Sequence, residues 1–333
     1  MYQATRSKTL VTLEEYIIKM QNRYPEATGD LSQLLRDLSL SGKIIAQEIN
    51  RTVIRDASNP QGIKETADER MQRLEEFASQ QINFALKRSG IVCLVVTEEA
   101  TKPIQVESNG KYIVVLDPLD GTFNIEINAS IGTIFSIYKR TSEVGTEPDE
   151  CEALQPGLKM VASGYLLYGS SVMLVFTTTG LGVNMFTLDE SLGEFFLAIS
   201  DIRIPDEGKI FSMNTSYFHG WNEGVKKYYS MMRGESGRPG LSYRYIGSFV
   251  ADVHRTLLEG GIFLFPANQF HPEGKLKLMY QCNPIAFIIE QAGGRASSMG
   301  KRILNITPED IHQKTPIMLG SVKQVIEAEH LLD

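Results

Sequence analysis

Acidic residues stand in pairs where two apolar runs end. Glu98-Glu99 follows Ile91-Val-Cys-Leu-Val-Val96, and Asp117-Pro-Leu-Asp120-Gly-Thr122 follows Tyr112-Ile-Val-Val-Leu116. Both runs are unbroken and rich in β-branched residues, the pattern of strands buried on both faces. A carboxylate at the end of such a strand is costly to desolvate unless something compensates it. A hard divalent cation does so: Mg²⁺ takes oxygen ligands and keeps places for water and a substrate phosphate. Pro118 stiffens the turn between the aspartates, and Gly121 lets backbone approach a ligand. Thr122 and Asn124 add short polar groups where amides can cradle a phosphate. Taken alone, the Glu pair reads as solvated loop acids and the Asp pair as a turn. The full DPLDGT string behind a buried strand is far more specific.

The elements that must hold these acids follow from periodicity. Thr12-Leu-Glu-Glu15 reads as a capping box opening a helix through about Arg23. Asp30-Leu-Ser-Gln33 is a second start signal, followed by Leu31, Leu34, Leu35, Leu38, Ile44, Ile45 and Ile49 at helical spacing. Residues 51–66, with Asn59-Pro60 and Gly62, read as a loop. Glu65–Arg88 is helical again. Further strands are expected at Gly132–Tyr138, Lys159–Tyr165, Val172–Thr177, Gly182–Thr187, Ile210–Met213 and Gly261–Phe265. Helices are expected at Trp221–Met232, Phe249–Glu259 and Asn283–Ala292, the last stopped by Gly293-Gly294. Thr141–Pro156 reads as a surface loop. The order suggests two units, 1–199 with helices and a sheet, and 200–333 as a second α/β unit.

Composition narrows the function classes. The 333 residues are 42% apolar and 22% charged, values of an ordinary globular chain with a large core. A net charge of −7 argues against non-specific binding to nucleic acid or acidic membranes, but leaves a small anionic substrate open. Cys93, Cys151 and Cys282 lie far apart and form no metal-binding pair. They read as inert thiols in a reducing compartment. No stretch reaches the ~20 apolar residues of a membrane span, and no secretory leader is visible. A cytoplasmic location is the expectation.

Beyond the acids, several strings occur in order: LQPG (154–157), YGSSVMLVF (168–176), SMNTSY (212–217), RYIGSFVADVHRTLLEGGIF (244–263), GKLKLMYQCNP (274–284) and PEDIHQKTPIMLGS (308–321). With EE and DPLDGT they resemble class 1 fructose-1,6-bisphosphatase, within the lithium-sensitive, Mg²⁺-dependent sugar phosphatase superfamily. The resemblance runs from about residue 9 to 328. It implies a layered α-β-α-β-α sandwich and hydrolysis of the 1-phosphate of fructose 1,6-bisphosphate, in gluconeogenesis, by water activated on Mg²⁺ or Mn²⁺. By position, Glu98, Asp117, Asp120, the Leu119 carbonyl and Gln281 are implied metal ligands. Glu98, Glu99 and Asp68 match the acids acting on the attacking water. Asp68 equally reads as a first-turn acid that complements a helix dipole.

The resemblance also places substrate contacts at Asp120, Gly121, Thr122, Asn214, Tyr217, Arg244, Tyr245 and Lys275. Arg244 would reach a neighbouring subunit, which implies a homotetramer. An inhibitory AMP site is implied at Thr28, Gly29, Asp30, Leu31, Ser32, Lys111, Tyr112 and Lys139. Lys139 stands where the family carries Arg. The sequence departs from the family at the site itself. Gln281 replaces a metal-binding Glu, Phe123 a Ser, and Phe265 a Tyr. The Asn59–Lys64 loop lacks a catalytic Asp, with Asp56 out of register. These departures keep two alternatives in view: a sedoheptulose-1,7-bisphosphatase-like enzyme, and a catalytically impaired AMP- or metabolite-binding regulatory protein.

Overall fold

The computed structural model describes residues 10–22, 29–58 (backbone only from 53), 66–235, 237 and 239–332. Thr28, the Asn59–Lys64 loop and the side chain of Asp56 lie outside the described residues.

Three helices come first. In α1 (Leu13–Gln21) the Thr12 hydroxyl accepts from the Glu15 N–H at 3.1 Å, and Glu15 accepts from the Thr12 N–H at 3.0 Å. That reciprocal pair satisfies two N–H groups no helical carbonyl can reach. Helix α2 (Asp30–Ser58) continues well into the stretch read as a loop. Arg51–Ser58 holds no glycine or proline, so nothing stops it before Asn59-Pro60. Helix α3 (Ala67–Ser89) opens on a second reciprocal cap, Thr66 with Glu69, and ends at Gly90 in the left-handed region.

The first sheet contains β1 (Val92–Thr97), β2 (Ile104–Gln105), β3 (Tyr112–Asp120), β4 (Ile131–Lys139), β5 (Met160–Tyr168), β6 (Val172–Thr178), β7 (Val183–Asp189) and β8 (Glu194–Ile202). Their order is β2-β1-β3-β4-β5-β6-β7-β8. Strands β1 and β3 run parallel, and the other neighbours are antiparallel.

The remaining elements are β9 (Ile210–Met213), α4 (Glu223–Met232), β10 (Ser242–Tyr243), α5 (Phe249–Glu259), β11 (Ile262–Phe265), β12 (Leu276–Lys277), α6 (Asn283–Gln291), β13 (Arg295–Ser298), β14 (Lys301–Arg302), β15 (Lys314–Thr315), β16 (Ile317–Gly320) and α7 (Val322–Leu332). Six of these strands form a second, mixed sheet in the order β10-β9-β11-β16-β13-β14. Strands β12 and β15 pair on their own.

Three apolar cores glue five layers. One core joins α1, α2 and α3 to the first sheet through Leu34, Leu38, Leu74, Ile82, Val114 and Leu174. A second joins both sheets across α5 and α6 through Val253, Leu257, Ile285 and Ile289. The third seats α4 and α7 on the outer face of the second sheet, around Phe211, Trp221, Tyr228 and Val325. The result is the α-β-α-β-α sandwich expected. Chain passing between the two sheets builds the walls of the main cavity.

Candidate active site

Strand β3 carries the DPLD string within itself, not after it as the sequence suggested. Its pairing with β4 slips there: Asp117 faces Ile134 and Asp120 faces Gly132, so three steps on β3 meet two on β4. In a regular strand, residues three apart point to opposite faces. The bulge cancels that alternation and turns both aspartates to one side. Pro118, which has no N–H to give a ladder, sits inside it. The Leu119 N–H donates to Asp117 Oδ1 at 3.2 Å and holds the bend. Gly121 follows with φ of 80°, a left-handed turn that leads into a short 3₁₀ helix, Thr122–Ile127.

Asp117 and Asp120 are buried, and among the described residues no cation is paired with either. Asp117 is 3% exposed and Asp120 6%. Burial pushes both carboxyls well above the usual range, and the nearby Glu98 charge adds to it. Asp120 is partly eased by the Val250 N–H at 3.0 Å, from the first turn of α5. Glu99 is exposed as a residue, but its carboxyl end is crowded by protein. That crowding, with Glu98 and Glu75 beside it, pushes it to about 7.

A cavity of about 640 Å³ opens over these groups. It brings together Glu98, Glu99, Asp117, Leu119, Asp120 and Gln281 on the acid side. Gly121, Thr122, Asn214, Tyr245 and Lys275 line it as well, with Phe123 and Phe265 from the altered positions. At the Gly121 turn, Ser248 Oγ and Asn124 Nδ2 are buried without a hydrogen-bond partner among the described residues. Ser248 stands beside Asp120, close enough to ease its charge but outside hydrogen-bond geometry. A Cβ built on Gly121 would lie 3.0 Å from Ser248 Oγ and 3.5 Å from Asn124 Nδ2. Both groups are shut away behind the Gly121 turn and do not line the cavity, so what the turn offers a ligand is the backbone of Gly121 and Thr122.

Three expected residues lie elsewhere. Asp68 is exposed in the first turn of α3 and does not line the cavity. Arg244 is exposed, with its guanidinium on the Tyr243 carbonyl at 2.9 Å. Tyr217 lines a small hollow behind Phe265 and Asn214. Gln281 is in the site but differs from expectation. Its Nε2 faces the acids, 2.9 Å from Asp117 Oδ2, while its Oε1 accepts from the Lys277 N–H at 3.1 Å. A backbone N–H only donates and a carboxylate only accepts, so these partners fix the amide's sense.

Sequence reading missed Glu75, Phe249 and Asp252, which line the same cavity, and Ser248, which backs the Gly121 turn. Glu75 lies two helical turns from Asp68 on α3, a spacing that could have flagged it. Asp252 is fully buried on α5. It accepts from the N–H groups of Ile246 and Gly247 at 3.0 Å, from Ser212 Oγ at 3.0 Å and from Arg255 Nη2 at 2.6 Å. It thereby anchors the 245–247 wall of the cavity. An acid amid the apolar face of a predicted helix was its signal.

A second cavity of about 380 Å³ lies between α1, α2 and the first sheet. Gly29, Leu31, Ser32, Tyr112 and Lys139 line it. Asp30 and Lys111 are instead paired with each other at 2.6 Å, outside its lining.

The chain's likeness to known proteins agrees with this geometry. Residues 11–200 match the N-terminal domain model of fructose-1-6-bisphosphatase, and residues 204–333 match the C-terminal one. The chain belongs to the fructose-1,6-bisphosphatase family. It is 46% identical to a class 1 fructose-1,6-bisphosphatase of Salinibacter ruber, over 97% of this chain and 92% of that relative. It also superposes on the crystal structure of Leishmania major fructose-1,6-bisphosphatase in holo form, with a TM-score of 0.88 and 36% identity, over 98% of this chain and 100% of that one.

Fructose-1,6-bisphosphatases depend on divalent cations, and the donors here fit one in kind: anionic oxygens, buried and short of positive charge. In arrangement they are closed. Among the described residues no three His, Cys, Asp or Glu side chains gather as a ready ion site. The Gln281 amide stands between Asp117 and Asp120 instead.

Proposed function

We propose that this chain hydrolyses the 1-phosphate of fructose 1,6-bisphosphate to give fructose 6-phosphate and phosphate, in gluconeogenesis. The observation that carries this is the meeting, on one cavity wall, of Glu98 and the buried acids Asp117 and Asp120 with the side-chain-free Gly121 turn and Thr122. Acids alone would repel a phosphate; beside a turn with exposed amides they have use only with a cation between.

Glu98, Asp117, Asp120 and the Leu119 carbonyl would hold divalent cations, Mg²⁺ or Mn²⁺. Such an ion, when bound, lowers the pKa of water and neutralises phosphoryl oxygens. The chain's own groups do the rest. The amides at Gly121 and Thr122 orient the 1-phosphate. Glu99, held near pKa 7, takes the proton of the attacking water. Asn214, Tyr245 and Lys275 bind the sugar and the 6-phosphate on the opposite wall. No observation among the described residues favours a sedoheptulose bisphosphate or a purely regulatory role.

³¹P NMR of the reaction tests the regiochemistry. Loss of the 1-phosphate signal with fructose 6-phosphate accumulating supports it, and fructose 1-phosphate as product would refute it. Three finer properties belong to the same proposal: AMP inhibition through the second cavity, a homotetramer in which Arg244 serves a neighbour, and a cytoplasmic location. Saturating AMP in a steady-state assay, and sedimentation at micromolar protein, check the first two. Among the described residues no helix is long and apolar enough to cross a membrane.

A further inference from the structure

We propose that Gln281 is a built-in stand-in for a cation: its amide nitrogen holds the seat between Asp117 and Asp120, and a divalent ion entering there must first displace it. The inference rests on the divalent-cation reading above and adds a direction to it: residue 281 lowers the affinity of this site for metal.

The geometry is specific. Nε2 lies 2.9 Å from Asp117 Oδ2 and 3.4 Å from Asp120 Oδ1, and Oε1 is 3.1 Å from the Lys277 nitrogen. Turning the amide over would set oxygen against carboxylate and NH₂ against N–H, three mismatched contacts for three good ones. The side chain cannot simply swing aside either. Residue 281 is 8% exposed and sits in a π-helical turn, Leu278–Cys282, whose other members are buried. The Leu278 N–H is tied to the Gln313 carbonyl at 2.8 Å. An amide donor is neutral, so it relieves the acids only in part. It is nonetheless always present, and it competes with an ion for the same lone pairs. A glutamate in this place could not do this, since three carboxylates facing each other need a cation to close.

The competitor and ligand roles differ in the sign of one effect. If the amide competes, Gln281→Ala removes a rival and tightens cation binding although it adds no ligand. If the amide oxygen were a ligand, the same change would weaken it. Isothermal titration of the full chain with MnCl₂, and separately MgCl₂, reads this directly. We expect Gln281→Ala to bind several-fold more tightly than the unaltered chain, and Gln281→Glu about tenfold or more, the scale on which groups around a metal tune its affinity. Metal-free Gln281→Glu should melt below the unaltered chain and gain more in Tm from Mn²⁺. Gln281→Met keeps the length without a donor. It replaces the alanine variant should that one fail to fold. Equal or weaker Mn²⁺ binding by Gln281→Ala or Gln281→Met overturns the inference. Phosphate release from fructose 1,6-bisphosphate is followed in the same samples. Turnover with the affinity order reversed sinks the stand-in role alone. The expected order without turnover in any variant sinks the catalytic reading and leaves the stand-in role standing.

Discussion

Asp252 shows how far a single carboxylate reaches. Its charge is felt by Asp120 and Tyr245, and its hydrogen bonds fix the turn that carries Tyr245, Ile246 and Gly247 into the cavity. In Asp252→Asn one acceptor becomes an NH₂ facing N–H groups or the Arg255 guanidinium. Removing one partner of a buried ion pair costs about 3 kcal/mol, and urea unfolding should show a loss of that size. In steady-state assays KM for the bisphosphate should rise more than kcat falls, because the wall that binds the sugar loosens while the acids stay put. A change in kcat alone would place Asp252 in the chemistry instead. At this scale the sequence was informative where chemistry is local. Glu98, Asp117 and Asp120 stand out because acids at the ends of apolar strands contradict their surroundings. Ser248 and the sense of the Gln281 amide were not legible, since each depends on which helix packs where.

Elements bring these residues together, and their limits follow from local rules with few exceptions. The capping box at Thr12 was readable because four consecutive residues hold the whole signal. Strand β8 was not, because its half-exposed pattern, with Glu194 and Asp201, lacks clean alternation. Strand β13, Arg-Ala-Ser-Ser, carries no β-branched residue at all and exists because β16 and β14 flank it. The bulge in β3 was also beyond reach, since it is a property of pairing with β4. A test at this scale uses Gly164 in β5. A Cβ there would meet Phe135 Cζ at 2.4 Å and the Val175 carbonyl oxygen at 2.8 Å. Backbone on a neighbouring strand cannot yield as a side chain can. Gly164→Ala should therefore cost about 2 kcal/mol, the usual range for overpacking. Unchanged stability in chemical denaturation would mean that the sheet spreads more easily than its register suggests.

The five layers meet at α5, and His254 reports on them together. Its Nδ1 lies 2.8 Å from the Tyr165 hydroxyl of β5, and the residue is half-buried. Burial lowers its pKa from 6.5 to about 4. Above pH 6.5 the imidazole is neutral in both the folded and the unfolded chain, and its effect is absent. Between 6.5 and 4 the unfolded chain takes up a proton that the folded chain refuses. The contribution of His254 to stability therefore falls as pH drops through this window, by about 3 kcal/mol at its foot, against the opposite trend of the raised acids Glu99 and Asp120. His254→Phe should flatten the pH dependence of unfolding between pH 4 and 6.5. An unaltered slope would assign acid lability to other groups.

The catalytic assignment itself turns on Asp117. The direct measurement is phosphate release from fructose 1,6-bisphosphate with Mg²⁺ and then Mn²⁺, comparing the unaltered chain with Asp117→Ala at matched folding. We expect metal-dependent release that falls by at least about a thousandfold in the variant, the scale of losing an electrostatic centre in an active site. No release from folded protein with either metal, or release that survives in Asp117→Ala, would contradict the assignment.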